Sequence, residues 1–519
     1  MKSSKSLVAV AGLVAAATLL SKFGGLVRQL FIAAAFGVSG AVDAYNYAYA
    51  LPGFVFILLG GLNGPFHSSV VSVLARRLKT GSREDAARLL NTIATLVSIG
   101  LLAVSLVLYA LAPGVISLVA AEATPEVRAL AVEMFRVMTP LIFLSGLIGI
   151  GFGVLNAVDH YLLPSLSPLC SSVSVAFAVW FFADAYGPVV IAWGFLAGAV
   201  LQWLLQVPLQ LRARLGGLRP QIDLAQPGVR EVTSLMAPAV TSSSVSNINT
   251  YTDLFFASQL AIGTASALNY STLLVQAPLG TLSSAVLVPL MPVFARFAEP
   301  AQFGQLRHSL RQGMVATAIV VLPISAVLVS LAEPIVQVVF ERGEFDRAGT
   351  QLVASVFGAM SLGMVFYLCR DLLIRVFFAL GDGKTPLKVA VAGVAMNFAL
   401  DFTLIRPFGA AGIALATVGN NALAFGLLAW LLRNRLGGLE WRTLLGPICG
   451  LVGGAVLTGG LAGWSYGLAN VAMPSWLALL VALGTAVLVQ AIWLRWLGLP
   501  EVELVTGKVL GRFRRSRSA

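Results

Sequence analysis

Lys22 and Arg28 are two cations in an apolar run that begins near Leu7, and no acid within that run neutralises them. An ionisable side chain at mid-bilayer costs ~2.5–3.5 kcal/mol on insertion scales, so it is a functional candidate by default. Two such cations suit an anionic head group. On a straight helix, six residues place them ~240° apart. The pair Gly24 and Gly25 offers a bend that would turn both toward one cavity. The competing reading is that both snorkel or find an acid elsewhere. Asp43 opens the next apolar run, where it either caps a helix through the dipole or faces the same cavity.

A second set of residues offers only oxygen. Ser242, Ser246, Asn249 and Asp253 recur at steps of four, three and four, which draws one polar stripe along an apolar helix. Asn397 and Asp401 share a face at i,i+4, and Thr417 follows in the next run. Two carboxylates, an amide and a hydroxyl are what a small hard cation takes. A hydrogen-bond network that packs helices is the alternative. Arg370, Asp371 and Arg375 read as structural charges, and Glu133 with Arg136 as a self-neutralising i,i+3 pair.

Other motifs fail. Gly381 to Thr385 (GDGKT) resembles the end of a phosphate-binding loop, but the glycine required five residues before Gly383 is Phe378. With Pro386 it reads as a tight turn. His67, His160 and His308 have no partners at metal or triad spacing, and Cys170, Cys369 and Cys449 lie far apart. No nucleotide-binding motif is present, so ATP hydrolysis within this chain is not expected to drive it. An enzyme is not indicated.

The elements that must position these residues follow from composition. Hydrophobic residues make up 58% of the chain and charged residues 11%, against about 25% charged in soluble domains. Apolar runs of 18 or more residues recur throughout, each long enough to cross a ~30 Å hydrocarbon core. Backbone groups in lipid must be satisfied within the segment, so the runs are helices. The expected fold is an all-α polytopic membrane protein of about fourteen transmembrane helices, with the first one retained and not cleaved as a signal. A net charge of +12 could suggest nucleic acid, but the basic residues cluster in short loops, where they set topology. With both termini in the cytoplasm, 25 of the 34 Lys and Arg residues fall on the cytoplasmic side and 4 outside.

A faint repeat at an offset of 220–226 residues pairs Tyr45 with Tyr270 and Pro52 with Pro278. It predicts two parallel six-helix lobes around a central cavity, a known transporter plan. The lobes would be 1–220 and 221–437. Residues 438–519 would add helices thirteen and fourteen and a basic cytoplasmic tail.

Several segments then carry a family resemblance. Phe36 to Tyr45, followed by Leu51 and Pro52, resembles the FGxxxxxDAxxxAxxLP pattern of the MurJ/MviN lipid II flippases, in the multidrug/oligosaccharidyl-lipid/polysaccharide exporter superfamily. Val339 to Phe345 is similar to their FxRGxF turn, Phe378 to Pro386 to their loop ending in KTP, and Gly409 to Thr417 to the start of their twelfth helix. The resemblance covers nearly the whole chain. It implies alternating access in the bacterial inner membrane. The substrate would be lipid II, the undecaprenyl-diphosphate-linked disaccharide pentapeptide of peptidoglycan synthesis, with membrane lipids and cell-wall synthesis proteins as candidate partners. It implies substrate contacts at Lys22, Arg28 and Asp43, and a sodium site at Asp253, Asn397, Asp401, Ile413 (through its carbonyl) and Thr417. Two family arginines are replaced by apolar residues, near Val55–Phe56 and near Leu273, and the family acid after Arg28 is Gln29. Lysine at position 22 also loses bidentate phosphate geometry. Export of another polyprenyl-linked or lipidic glycan is therefore the second expectation, and a non-transporting envelope-assembly scaffold the third.

Overall fold

The computed structural model describes residues 4–61, 70–74, 76–77, 82–213, 215–217, 219–223 and 226–502; for 4–11, 227, 233, 235–243, 245–246 and 441–442 it describes the backbone alone. The described residues are helical, with no strand among them. In chain order the long helices are α1 (Ser4–Phe36), α2 (Gly40–Gly60), α3 (Arg83–Ala110), α4 (Pro125–Met138 and Pro140–Ala157), α5 (Pro168–Tyr186), α6 (Val190–Ala213) and α7 (Pro227–Ala257). They continue as α8 (Thr264–Leu282), α9 (Phe303–Ser330), α10 (Arg347–Leu362 and Met364–Ala379), α11 (Lys384–Phe408), α12 (Ala410–Leu436), α13 (Trp441–Ala472) and α14 (Ser475–Leu497).

Among the described residues, eleven spans are long and apolar enough to cross a membrane, or twelve if α10, bent by 40°, is taken as one. The span from Leu162 to Ala213 has 52 residues, far more than the ~20 one crossing needs. It breaks at Gly187 (φ +65°) into α5 and α6. α7 falls outside the apolar set because its serines, asparagines and aspartate dilute its hydropathy.

The chain forms two compact units. The first is Met1–Ser266 together with Arg342–Asp346; the second is Ala267–Glu341 with Arg347–Ala519. α7 thus clusters with the first unit, whereas the repeat placed the lobe boundary at 220. An ion pair between Arg76 and Glu231 ties the start of α7 back to the residues before α3.

Within the first unit, the connector before α7 is laced to α3. Asn91 Oδ1 accepts from the Gly217 N–H at 2.6 Å, and Thr95 Oγ1 from the Gln221 N–H at 2.9 Å. The segment Arg342–Asp346 is fixed to the end of α1. Glu344 N–H donates to the Ala34 carbonyl at 2.9 Å. Gly37 and Gly343 both have positive φ, +61° and +59°, a region costly for residues with a Cβ. A Cβ at Gly37 would sit 2.2 Å from the Glu344 oxygen, and one at Gly343 would sit 2.2 Å from the Ala34 oxygen. Each glycine is required by the backbone that the other segment presses against it.

Within the second unit, α11 and α12 form a close antiparallel pair. Gly409, at φ +55°, turns the chain. A Cβ on Gly412 would meet the Leu404 carbonyl at 2.2 Å, so that glycine lets the helices touch. α13 and α14 also pair, sealed by a Thr458–Gln490 hydrogen bond of 3.0 Å and the Trp493 indole donating to the Gly450 carbonyl at 2.9 Å. Arg311 on α9 meets the buried carboxylate of Glu501 at 2.9 Å.

The GDGKT segment is a helix start. Asp382 accepts from the backbone N–H groups of Lys384 (3.1 Å) and Thr385 (3.0 Å) and from the Thr385 hydroxyl (2.7 Å), while Arg435 pairs with it at 2.6 Å. An Asp carboxylate thus occupies the anion-attracting N-terminus of α11. Backbone and side-chain hydrogen bonds from Thr385, and then Arg435, hold its pKa below the usual carboxylate range.

Candidate functional site

Arg28 is the best-defined of the expected substrate contacts. It sits in the C-terminal half of α1, half-buried, with its guanidinium over the Phe195 ring of α6 at 4.6 Å. Tyr49 of α2 lies 4.8 Å from Phe195, centre to centre, and Tyr45 stacks on Tyr49 at 5.6 Å. Three aromatic rings thus back the cation, which fixes its plane by quadrupole attraction. Its Nε is buried with no hydrogen-bond partner among the described residues. A guanidinium held this way and left without a carboxylate is costly unless a ligand completes it. Phe195 and Tyr49 were missed by sequence reasoning. The only signal was Tyr49 at i+4 from Tyr45; Phe195, 167 positions from Arg28, gave none.

Lys22 is exposed. α1 stays helical through Gly24 and Gly25. The glycine pair also serves packing: a Cβ on Gly24 would lie 2.4 Å from Leu169 Cδ2, so Gly24 admits α5 to close contact.

Asp43 is 3% exposed. Its Oδ2 accepts from the Gly263 N–H at 2.6 Å, and its Oδ1 from the Ser266 N–H (2.7 Å) and hydroxyl (2.6 Å). It caps a helix, as one of the two readings held, but the helix is α8 and not its own. The carboxylate satisfies donors that a helix start leaves open.

The oxygen donors divide between the units. In the second, Asn397 and Asp401 on α11 are both fully buried, with the Asn397 amide donating to Asp401 Oδ2 at 2.9 Å. Ile413, also fully buried, and Thr417 lie on the adjoining α12. The Thr417 carbonyl accepts from Asn421, whose Oδ1 accepts in turn from Arg370 at 2.5 Å. Asp253 and Asn249 stand on α7 in the first unit; the side chains of Ser242 and Ser246, like His67, lie outside the described residues. No group of three His, Cys, Asp or Glu side chains suited to a metal occurs among the described residues. The set on α11 and α12, one carboxylate with amide, hydroxyl and carbonyl oxygen, has the chemistry of a monovalent hard-cation site.

The remaining charges are structural. Arg375 pairs with Asp371 at 3.2 Å, and Arg370 lies over the Tyr367 ring at 5.0 Å. Arg136 lies 5.5 Å from the centre of the Tyr109 ring and makes no ion pair with Glu133 among the described residues. An aromatic face is the nearer partner.

A helical, multi-span bundle with half-buried cations and buried oxygen donors fits one class: a polytopic transporter. Solved structures agree on the fold. The chain is similar to a multidrug resistance MATE family transporter of the MOP superfamily in an inward-facing conformation (TM-score 0.66, 15% identity, 82% of this chain and 98% of that one). It is more similar to a lipid II flippase MurJ in an inward closed conformation (TM-score 0.77, 22% identity, 93% and 99%). The family model of the lipid II flippase MurJ matches residues 32–494. A probable lipid II flippase MurJ of Synechocystis is 45% identical over 99% of both chains, and the lipid II flippase MurJ of Burkholderia cenocepacia is 30% identical over 89% of this chain and 90% of its own. The chain belongs to the lipid II flippase MurJ family.

Proposed function

We propose that this multi-pass membrane protein is a flippase, a transporter and not an enzyme, that moves lipid II from the cytoplasmic to the external leaflet of the bacterial inner membrane. Family membership along nearly the whole chain carries the reading. Arg28 supports it physically. A planar guanidinium backed by Phe195 presents its free N–H edge to a diphosphate, which it can take in bidentate fashion. Phosphate geometry thereby selects the head group, while the stacked rings keep the cation oriented between cycles.

The charge bias of the loops supports cytoplasmic placement of both termini. We further infer coupling to a cation or to the membrane potential. Asn397, Asp401 and Thr417 of the second unit would hold sodium, joined by the Ile413 carbonyl, on the family pattern. A bound cation supplies fixed positive charge to a buried carboxylate that would otherwise bear its full desolvation cost.

A second reading rests on one observation. Val55 and Phe56 are half-buried apolar side chains of α2 where the family carries an arginine, and Leu273 takes the place of another. A less cationic path fits another polyprenyl-linked or lipidic glycan.

Complementation separates the two. The resident flippase of a bacterium is depleted, this chain is expressed, and survival and externally exposed lipid II are followed. Rescue that vanishes with Arg28→Ala supports lipid II as the substrate. No rescue by protein verified in the membrane favours the second reading.

A further inference from the structure

α1 and α5 line a recess to which Arg28 does not contribute. Its floor is made of small residues, Gly24, Ser172 and Ala176, and its rims of Phe31, Phe177 and Trp180. The cavity is about 430 Å³. It continues toward the Phe36 end of α1 into a second cavity of about 570 Å³, and Phe31 and Trp180 line both. Phe31 and Trp180 meet edge to face at 5.6 Å, marking the junction. Asp184 and Glu344 line the second cavity, and no basic residue lines either.

The dimensions and chemistry suit one ligand class. From Gly24 to Phe36 the groove follows twelve residues of helix, ~18 Å at 1.5 Å per residue, close to the depth of one leaflet of a ~30 Å core. Trp180 is 69% exposed and Tyr186 71%, and such aromatics sit at the border between hydrocarbon and head groups. Asp184 lies just before the chain reversal at Gly187, and Glu344 is held at the end of α1 by its N–H on the Ala34 carbonyl. An apolar slot therefore leads along α1 to two carboxylates at its Phe36 end.

We propose that this groove is a binding site for a membrane phospholipid with an ammonium head group, its acyl chain in the α1–α5 slot and its ammonium against Asp184 and Glu344. Charge complementarity selects that occupant. The same two carboxylates repel an anionic glycerol lipid, and they repel the diphosphate of the proposed substrate. The groove thus holds a resident lipid against the helix that carries Arg28, apart from the lipid that is moved.

The full-length protein is purified and incubated with equal amounts of dioleoyl phosphatidylethanolamine and dioleoyl phosphatidylglycerol, and bound lipid is counted by native mass spectrometry. Two exposed charge contacts predict an enrichment of the ethanolamine lipid of about fivefold. The Asp184→Asn, Glu344→Gln double variant, altered only at exposed positions, brings the ratio to about one. Ala176→Trp fills the slot and removes the ethanolamine adduct. A phosphatidylethanolamine carrying a photoreactive acyl chain labels residues 172–181 in the wild type and not in Ala176→Trp. Equal binding of the two lipids by the wild type, preference for phosphatidylglycerol, or labelling elsewhere overturns the proposal. So does a wild-type dimer that Ala176→Trp dissociates, which would make a second copy the occupant. None of these outcomes depends on lipid II being the substrate.

Discussion

Replacing Arg28 by lysine keeps the charge and removes the two properties that the structure gives this residue. The flat guanidinium over Phe195 at 4.6 Å contributes ~1–2 kcal/mol as a partly desolvated cation–π contact. A bidentate grip on a diphosphate adds a second charge-assisted hydrogen bond, worth ~1.5–3 kcal/mol, that an ammonium makes less well. Part of each is recovered by lysine, which leaves a net loss of about 2–4 kcal/mol, or roughly 30- to 700-fold in head-group affinity. Lipid II exposure in a depletion strain at matched expression, together with lipid II binding to purified protein, reads this loss. Thermal stability must be measured alongside. The wild-type Nε is buried without a hydrogen-bond partner, which offsets part of the Phe195 contact, so Arg28→Lys and Arg28→Ala should each change folding stability by no more than ~1–2 kcal/mol. Transport within threefold of wild type would refute the reasoning. A melting temperature that falls in step with transport would show that Arg28 is structural.

Asp43→Asn replaces an acceptor of three hydrogen bonds with a group that turns an N–H toward N–H donors; we expect a loss of ~2–4 kcal/mol in stability, seen as a lower melting temperature, with Asp43→Ala at least as severe. Gly343→Ala drives a methyl into the Ala34 carbonyl, and should cost ~1–3 kcal/mol by the same measurement, whereas Gly25→Ala, with open space around it, should be neutral. If α11 and α12 hold sodium, added sodium chloride should raise the melting temperature of the wild type above that in choline chloride, and Asp401→Asn should erase the difference. Asp382 has a folded-state pKa below its unfolded value, so its contribution is present above the unfolded pKa and is lost as pH falls through the folded one; on acidification below about pH 4, Asp382→Asn should lose less stability than the wild type.

Much of this architecture was legible because lipid permits few solutions. Long apolar runs had to be helices, and residues such as Arg28 and Asp43 stood out because charge is rare among them. The Asn397–Asp401 contact was readable as well, since a helix brings i and i+4 together without help from the rest of the fold. What eluded the sequence is long-range. Asp43 finds Gly263 and Ser266 some 220 positions away, and nothing local distinguishes a residue that caps its own helix from one that caps another. Phe195 was one of three aromatics in α6, and nothing local set it apart from Trp193 or Trp203. The glycine pair at 24 and 25 is ambiguous in a different way: a missing Cβ serves a bend and a close contact equally well, and the contact of Gly24 with Leu169 shows only in the fold.

The placement of Arg342–Asp346 bears on dividing the protein for study. A break at the unit boundary, between Ser266 and Ala267, would put the first compact unit and the turn that completes it on separate polypeptides. Residues 1–266 expressed alone would leave the Ala34 carbonyl and the left-handed Gly37 facing an empty contact. Co-expressed halves would have to rebuild that contact between chains, and a peptide spanning Glu341 to Arg347 should act as a minimal ligand for the isolated N-terminal fragment.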